Sequence, residues 1–454
     1  MKLAKLSLVA MVVAGLASSS FAESTTLADA FKNGKVTGEL RAWYFDRDTG
    51  ASNPTTSTLG TLGKGNADLF STGVMLSYVT DSLYGLSLGT TFQSSYAPFA
   101  DKDAKNLYAT DMYGSGAALS EAYVTYTLGK TTAKVGRQFI ASPLVASSGS
   151  RMVKEAFQAA VLINTDLPNT TLVAGYSDKF QGRTSDYDKS VAGGDSEMPS
   201  FKKEAVFYGT GAANGGSNVF GFDGAYTAAA INKSITNLTL TGQYLFVNDV
   251  ELTEGGDANV FYAEGNYVVP LSNMKLLLDA TYRGSRTSNE TFDGFHVEGN
   301  MYQGRVGFKE LAGFNASFAY STVATSDQSV LLGAGNGPTT YTAPLVKGAE
   351  VTSGANTDAY KLEVGYDFSK VGVPGLKVLG QYVKVNQDRA TNTSGIVLNG
   401  ATVDTESTFL EAQIAYDIPS LKGLTLSLEY EDGEKETTST VNSNEMRFRA
   451  NYKF

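Results

Sequence analysis

The sequence predicts an all-β fold, a transmembrane antiparallel β-barrel, and three observations lead to this prediction. Apolar and polar residues alternate with period two in runs along the whole chain. Short and long connections between these runs alternate along the chain, as they do in barrels of outer membranes. Downstream of residue 22, no apolar stretch reaches the roughly eighteen residues that a transmembrane helix requires.

The first 22 residues have the order of a secretory signal peptide. Two lysines precede an apolar run over residues 6–16, and small residues follow. Ser20 and Ala22 stand at the −3 and −1 positions of a cleavage site, so we expect the mature chain to begin at Glu23. The apolar run is too short to span a bilayer. Residues 23–454 are then expected to form a single barrel domain.

The charge and the cysteine count exclude several classes of function. Removing the signal takes away two of the 36 basic residues and none of the 46 acidic ones, which leaves a formal charge of −12. We therefore expect no nucleic-acid partner, because phosphate binding needs a basic surface. The chain has no cysteine, so thiol catalysis is excluded and an oxidising compartment is tolerated.

The alternation identifies the two faces of each predicted strand. In "LTLSLEYE", residues 424–431, the leucines and the tyrosine face one way, and Thr425, Ser427, Glu429 and Glu431 face the other. The closing stretch "NEMRFRANYKF", residues 444–454, has the same pattern with arginines on its polar face. In an outer-membrane barrel the apolar face meets lipid and the polar face lines the lumen.

Eighteen strands can be counted, and an even total returns both chain ends to the periplasmic side. We expect short periplasmic turns and long external loops. A count of sixteen stays open, because "EAVFYGTGA" near residues 202–220 reads as strand or loop. The sequence has no repeat of fixed length, which speaks against a solenoid, and no linkers, which speaks against a multi-domain β-sandwich. The predicted strands cover 36–45, 69–80, 84–95, 120–128, 131–139, 157–165, 170–178, 218–231, 238–247, 258–269, 274–285, 299–309, 314–322, 358–368, 375–386, 405–417, 423–433 and 444–454.

Two segments of the sequence resemble a known family. "ADAFKNGKVTGELRAWYFDRD" and "LSEAYVTYTLGKTTAKVGRQFIASPLVASSGSRMVKEAFQAAVLI" are similar to OprD-type outer-membrane porins, and in particular to the major porins of campylobacters and their relatives. The resemblance implies an eighteen-stranded passive channel whose third external loop folds inward as a constriction. It also implies a ladder of pore arginines for carboxylates in some members, and trimers and bound calcium in others. In this chain the third loop covers 140–156 and contains Arg151, Lys154 and Glu155.

If the strands are staves of a barrel, a set of charged residues lines the lumen. Register arithmetic at about 3.4 Å per residue places Arg41, Arg447 and Arg449 near mid-membrane on one wall. One hypothesis makes this wall a cationic strip that guides anionic groups. The other pairs the arginines with Glu39, Glu429 and Glu445 in a lattice that stiffens the wall. The predicted lumen residues are Arg41, Lys275, Asp279, Arg283, Arg305, Glu411, Glu429, Arg447 and Arg449.

Three further features bear on function. Arg137 falls on the lipid-facing side by alternation, which a bulge or a position above the membrane would resolve. His296 is the only histidine, and its predicted place at an external rim offers no Ser–His pair, so no enzymatic activity is expected. Acidic loop residues could bind Ca²⁺, but their spacing matches no ordered calcium loop, so we expect no cofactor. Those residues are Asp101, Asp103, Asp111, Asp186 and Asp188.

The sequence therefore predicts a porin of a Gram-negative outer membrane, which lets small hydrophilic solutes and ions diffuse passively. Its expected partners are membrane lipid, these solutes, two further copies of the chain, and the assembly machinery that reads the terminal strand ending in Phe454. The alternative is a surface barrel that acts mainly as an adhesin or receptor. The sequence does not decide between cation and anion selectivity.

Overall fold

The computed structural model describes most of the chain. The described ranges are 24–50, 55–56, 62–63, 65–108, 112–184, 197–209, 219–250, 256–288, 297–324, 329–389 and 403–454. The predicted signal peptide and His296 lie outside these residues, as do Asp111, Asp186 and Asp188.

Eighteen long strands form the wall of the barrel. In chain order they are β1 Lys35–Asp48, β2 Asn66–Val79, β3 Leu86–Ser95, β4 Gly116–Leu128, β5 Thr131–Gln138, β6 Ala156–Asn164, β7 Thr170–Gln181, β8 Gly224–Asn232, β9 Leu238–Val250, β10 Gly256–Pro270, β11 Lys275–Thr287, β12 Asn300–Leu311, β13 Phe314–Val323, β14 Thr357–Asp367, β15 Leu376–Gln387, β16 Thr405–Asp417, β17 Leu424–Glu436 and β18 Thr440–Lys453.

Each strand pairs antiparallel with its neighbours in sequence, and the first strand pairs with the last. The closing register runs from Glu39 opposite Lys453 to Asp48 opposite Asn444. The predicted count of eighteen is confirmed and the alternative of sixteen is wrong. The ambiguous segment does contain a short strand, Glu204–Tyr208, but this strand is not part of the wall.

The two faces of each strand are reversed relative to a water-soluble sheet. On β17, Leu428 and Tyr430 are 38% and 45% exposed, whereas Glu429 and Glu431 on the opposite face are 6% and 0% exposed. Apolar side chains therefore cover the outside, and charged side chains point into the barrel. Hydrogen bonds of a closed sheet satisfy the backbone without a free edge, which a lipid environment requires.

The turns at one end of the barrel are short. Ala312 and Gly313 join β12 to β13 with φ angles of 51° and 96°, and two positive values suit a type I′ hairpin. The helices that the structure describes are short as well: α1 Leu27–Lys32, α2 Lys102–Leu107, and 3₁₀ turns at Ala349–Thr352 and Phe368–Val371. Among the described residues, no helix has the length and apolar character to cross a membrane.

Loop segments fill much of the barrel interior and form the main hydrophobic core. The short strand Glu204–Tyr208 pairs with Val219–Gly221 on one side and with Gly333–Ala334 on the other. Ala334 in turn exchanges backbone hydrogen bonds with Leu144 and Ala146. These segments pack against inward-facing residues of the wall such as Leu245, Val260 and Met301.

The loop over residues 323–357 does not take the external position that the sequence predicts, and it is the second inward loop of the barrel beside the third external loop, residues 140–156. Residues 323–357 read as a polar external connection, yet 329–334 and most of 340–355 are buried. Val330, Leu331 and Leu332 are fully buried in the core. An external loop is surrounded by water and not by lipid. Packing inside the barrel therefore removes the loop's apolar side chains from water.

Candidate functional site: the barrel lumen

Arg41, Arg447 and Arg449 lie on neighbouring strands with their side chains inside the barrel, and each is paired with a carboxylate. Arg41 Nε donates to Glu39 Oε1 at 3.0 Å, and Arg449 Nη1 donates to Glu429 Oε2 at 2.5 Å. These are pairs that the lattice hypothesis expected.

Glu445 joins the same wall to a further arginine. Arg447 Nε donates to Glu445 Oε1 at 2.7 Å, and Arg47 Nε donates to Glu445 Oε2 at 2.8 Å. Arg447 is only 3% exposed. A buried cation of this kind requires a carboxylate or a set of carbonyl acceptors, because an unpaired charge away from water is costly.

Two aromatic rings of β1 lie between the arginines. Trp43 and Phe45 stack with their ring centroids 6.1 Å apart and point into the barrel. The guanidinium of Arg449 lies 5.0 Å from the Trp43 centroid, and that of Arg447 lies 5.1 Å from the Phe45 centroid. Cation–π contacts of this geometry hold guanidinium planes in fixed orientations.

The third loop, residues 140–156, is fastened to the inner wall by its backbone. Arg41 Nη1 donates to the carbonyl oxygens of Arg151 and Met152 at 3.2 and 2.9 Å. Gln93 exchanges two hydrogen bonds with the backbone of Lys154, both at 2.9 Å. One predicted lumen arginine thus binds carbonyl oxygens of the loop that carries the predicted constriction residues.

Arg283 connects the wall to both inward loops. It is 1% exposed, and its guanidinium donates to Leu332 O at 2.6 Å, Thr339 O at 3.3 Å and Pro143 O at 3.4 Å. Its charge therefore faces loop carbonyls instead of open water. The planar fork of arginine suits three acceptors, where lysine would offer a single point charge.

The second inward loop has its own contacts along the wall. Gln303 Oε1 accepts from Tyr341 N at 2.8 Å, and Tyr341 Oη donates to Glu264 Oε1 at 2.6 Å. Further along, Val346 N donates to Glu411 Oε1 at 2.9 Å. Glu411, a predicted lumen residue, thus accepts from the loop as well as from Gln381 on β15.

The two inward loops are joined to each other through Glu155. This carboxylate is fully buried, and it accepts from Ser148 N at 2.8 Å, Asn336 N at 2.9 Å and Asn336 Nδ2 at 2.5 Å. Burial raises the pKa of Glu155, although the nearby Arg183 and the hydrogen bonds oppose the shift. Glu155 therefore lies inside the fold at the loop junction.

A cavity of about 590 Å³ lies beneath the third loop. Residues 139–142 and Lys154 belong to its roof, and inward-facing residues of β4 to β9 form its wall. Lys154 Nζ lies 4.4 Å from the Phe139 ring centroid and has no ion pair within the described part of the chain. Burial lowers the pKa of Lys154.

The remaining predicted residues occupy three kinds of position. Arg305 Nη2 contacts Asp279 Oδ2 at 2.5 Å, on the inner face. Lys275 has the same strand parity, but it begins β11 and forms an exposed pair with Glu310 at 2.6 Å. Arg137 stays on the outer face, where its guanidinium lies 4.5 Å from the ring centroid of Phe201.

No metal-binding group of three or more histidine, cysteine or acidic side chains occurs within the described residues. Asp101 instead caps helix α2, where its carboxylate accepts from Ala104 N at 2.8 Å. A residue of this kind satisfies a free amide at a helix start.

Several lumen residues were not predicted from the sequence, and three of them belong to the second inward loop or contact it. Asn336, Tyr341 and Gln303 are polar residues in polar surroundings, and alternation gives no information about such loop contacts. The sequence feature that could have indicated an inward position of this loop is the short apolar run "SVLLGA" at 329–334, which interrupts an otherwise polar connection.

The closed barrel with its charged, loop-filled interior defines the class of an outer-membrane porin. The family model of the Campylobacter major outer membrane protein matches residues 1–454, so the chain belongs to that family. The protein therefore resides in the outer membrane of a Gram-negative bacterium.

Solved structures of related shape support the same fold. Acinetobacter baumannii OccAB3 is similar with a TM-score of 0.73 and 16% identity, over 93% of this chain and 99% of that one. Acinetobacter baumannii OccAB1 has a TM-score of 0.72 and 17% identity, over 95% of this chain and 99% of that one. Pseudomonas aeruginosa OccK8 (OprE) has a TM-score of 0.68 and 17% identity, over 94% of this chain and 99% of that one. The comparison with curated proteins gave no match.

Proposed function

We propose that this porin conducts ions and small hydrophilic solutes passively, through the space that the two inward loops leave free. The observation that carries the proposal is the closed barrel whose charged side chains point inward. Burying so many charged groups is tolerable where the interior holds water, but costs several kcal/mol for each group that faces lipid instead. No bond chemistry is involved.

Loop anchoring sets the width of the path in this mechanism. Arg41 and Arg283 bind carbonyl oxygens of the inward loops, and Glu155 joins those loops to each other. Paired arginines contribute little net field, because each guanidinium lies beside a carboxylate. Selectivity then depends on charges without an adjacent carboxylate, and Lys154, which forms no ion pair with any described residue, is one of them.

Conductance in planar bilayers tests this function. Purified, folded protein should insert in steps, each with an ohmic current. Absence of stepwise conductance from a folded preparation would contradict the porin and favour the adhesin or receptor alternative. Reversal potentials in a salt gradient then give the ion selectivity, with Lys154→Gln as the variant and Lys130→Gln, an exposed turn residue, as the matched control.

Three further proposals rest on the sequence and the family resemblance. Residues 1–22 are removed on export, which sequencing of the mature amino terminus tests at Glu23. The protein assembles as a homotrimer, which cross-linking in native membranes tests. The assembly machinery recognises the last strand, in which Phe454 is exposed and shares two backbone hydrogen bonds with Gly38. Deleting Phe454 should then reduce insertion.

A further inference from the structure

The inner wall around the cavity beneath the third loop is apolar, unlike the charged inner wall that β1, β17 and β18 form. Inward-facing positions of β6 to β9 carry Val161, Ile163, Val173, Ala229 and Leu245, and all five line the cavity. Strands of a water-filled barrel carry polar residues at their inward-facing positions. Apolar surface that is left to water is unfavourable in proportion to its area, so a wall of this kind suits an apolar occupant.

The polar groups of the cavity give it a positive end. Lys134 and Lys154 both line it, and Glu121 is the acidic side chain in the lining. Glu121 is already engaged, since it accepts from Thr91 Oγ1 at 2.7 Å and Phe139 N at 3.0 Å, and lies 3.5 Å from Lys134 Nζ. The ammonium group of Lys154 lies over the Phe139 ring, and it forms no ion pair with any described residue, although Glu121 attracts it from a longer distance.

We propose that this cavity binds an amphiphilic monoanion, with the apolar body against the β6–β9 wall and the anionic group at Lys154. A volume of about 590 Å³ falls within the range of pockets that hold small organic ligands, about 300–1,000 Å³. Those pockets combine an apolar lining with a few placed polar groups, as this one does. The ligand is recognised by its apolar body as much as by its charge, which separates it from fully hydrophilic solutes.

Binding can be measured without relying on conductance. The probes are butane-, hexane- and octane-1-sulfonate, titrated by calorimetry into the full-length protein in nanodiscs of zwitterionic lipid, with empty nanodiscs subtracted. Each added pair of methylene groups should strengthen binding about fifteenfold, because a single buried methylene contributes about 0.8 kcal/mol, close to fourfold. Affinity that does not change with chain length would overturn the proposal, and this test needs no variant.

Two variants test the two ends of the cavity. Lys154→Met keeps the length of the side chain and removes its charge, and it should weaken octanesulfonate binding about tenfold or more. Val161→Asp places a carboxylate on the apolar wall and should abolish chain-length dependence. Lys130→Met is the control at an exposed turn and should bind as the parent does. Equal affinity of Lys154→Met and the parent would overturn the assignment of the anionic end.

This inference and the proposed function fail separately. A protein that conducts but does not bind alkyl sulfonates refutes the cavity site and leaves the porin intact. Binding by a folded protein without stepwise conductance leaves the site intact and refutes passive conduction.

Discussion

Arg283→Met is the variant that most directly perturbs the attachment of the inward loops. Arg283 contacts the backbone of both loops, through Pro143 O on one and through Leu332 O and Thr339 O on the other. Methionine retains a long, unbranched apolar side chain but offers no donor. The substitution therefore removes three hydrogen bonds while the volume of the site is largely kept.

The free energy of loop attachment that Arg283→Met removes can be estimated from the three hydrogen-bond distances. The bond of 2.6 Å to Leu332 O is a short bond to a charged donor, for which about 2 kcal/mol is typical. The bonds of 3.3 and 3.4 Å are long, and together they contribute about 1 kcal/mol. Removing a buried charge returns about 1 kcal/mol of desolvation. The loops should lose about 2 kcal/mol of attachment, a factor of about thirty in the ratio of attached to released states.

Single-channel recording measures this ratio as the fraction of time spent in states of higher conductance. Arg283→Met should flicker to such states far more often than the parent, and Arg283→Lys should lie between them. Arg286→Met is the matched control, because Arg286 is exposed and outside the lumen. Noise in Arg283→Met equal to that of the parent, or an equal change in Arg286→Met, would refute the reasoning.

Three other predictions concern Glu155, Lys275 and the paired arginines. The pKa of Glu155 is raised by burial, so the joined loops hold a proton more tightly than released loops; their attachment should weaken as pH rises above the ordinary carboxyl range, and flicker should grow. Glu155→Gln should lose that pH dependence. Lys275→Ala removes an exposed pair with Glu310 and should change thermal stability by less than about 0.5 kcal/mol. The double substitution Arg447→Ala with Arg449→Ala removes two cations that neutralise Glu445 and Glu429, so reversal potentials should shift towards cation selectivity; unchanged values would show that this wall does not act on the conducting path.

The wall of the barrel could be predicted because its pattern is local. In residues 424–431 each side chain's neighbours two positions away show whether it meets lipid or lumen, and the closed sheet then places Arg41 beside the last strand. The ion pair of Arg449 with Glu429 follows, since it joins adjacent strands, and the pair of Arg447 with Glu445 follows from their two-residue spacing on one face of β18.

The interior could not be predicted because its contacts are distant in sequence and lack a period. Glu155 meets Asn336, and Arg283 meets Pro143, across stretches that contain several strands. The apolar inner face of β6 to β9 is a second case. "AAVLIN" at residues 159–164 is apolar on both faces, and alternation alone does not say that its inner half lines a cavity.

Two anchored inward loops narrow the conducting barrel, and replacement of one loop tests this role. Residues 337–347 of the second loop are replaced by a glycine–serine segment of equal length, which removes Tyr341 and the other anchoring side chains but keeps the span. Single-channel conductance of this variant in planar bilayers should exceed that of the parent, with the same stepwise insertion. A folded variant whose conductance equals the parent's would contradict the claim.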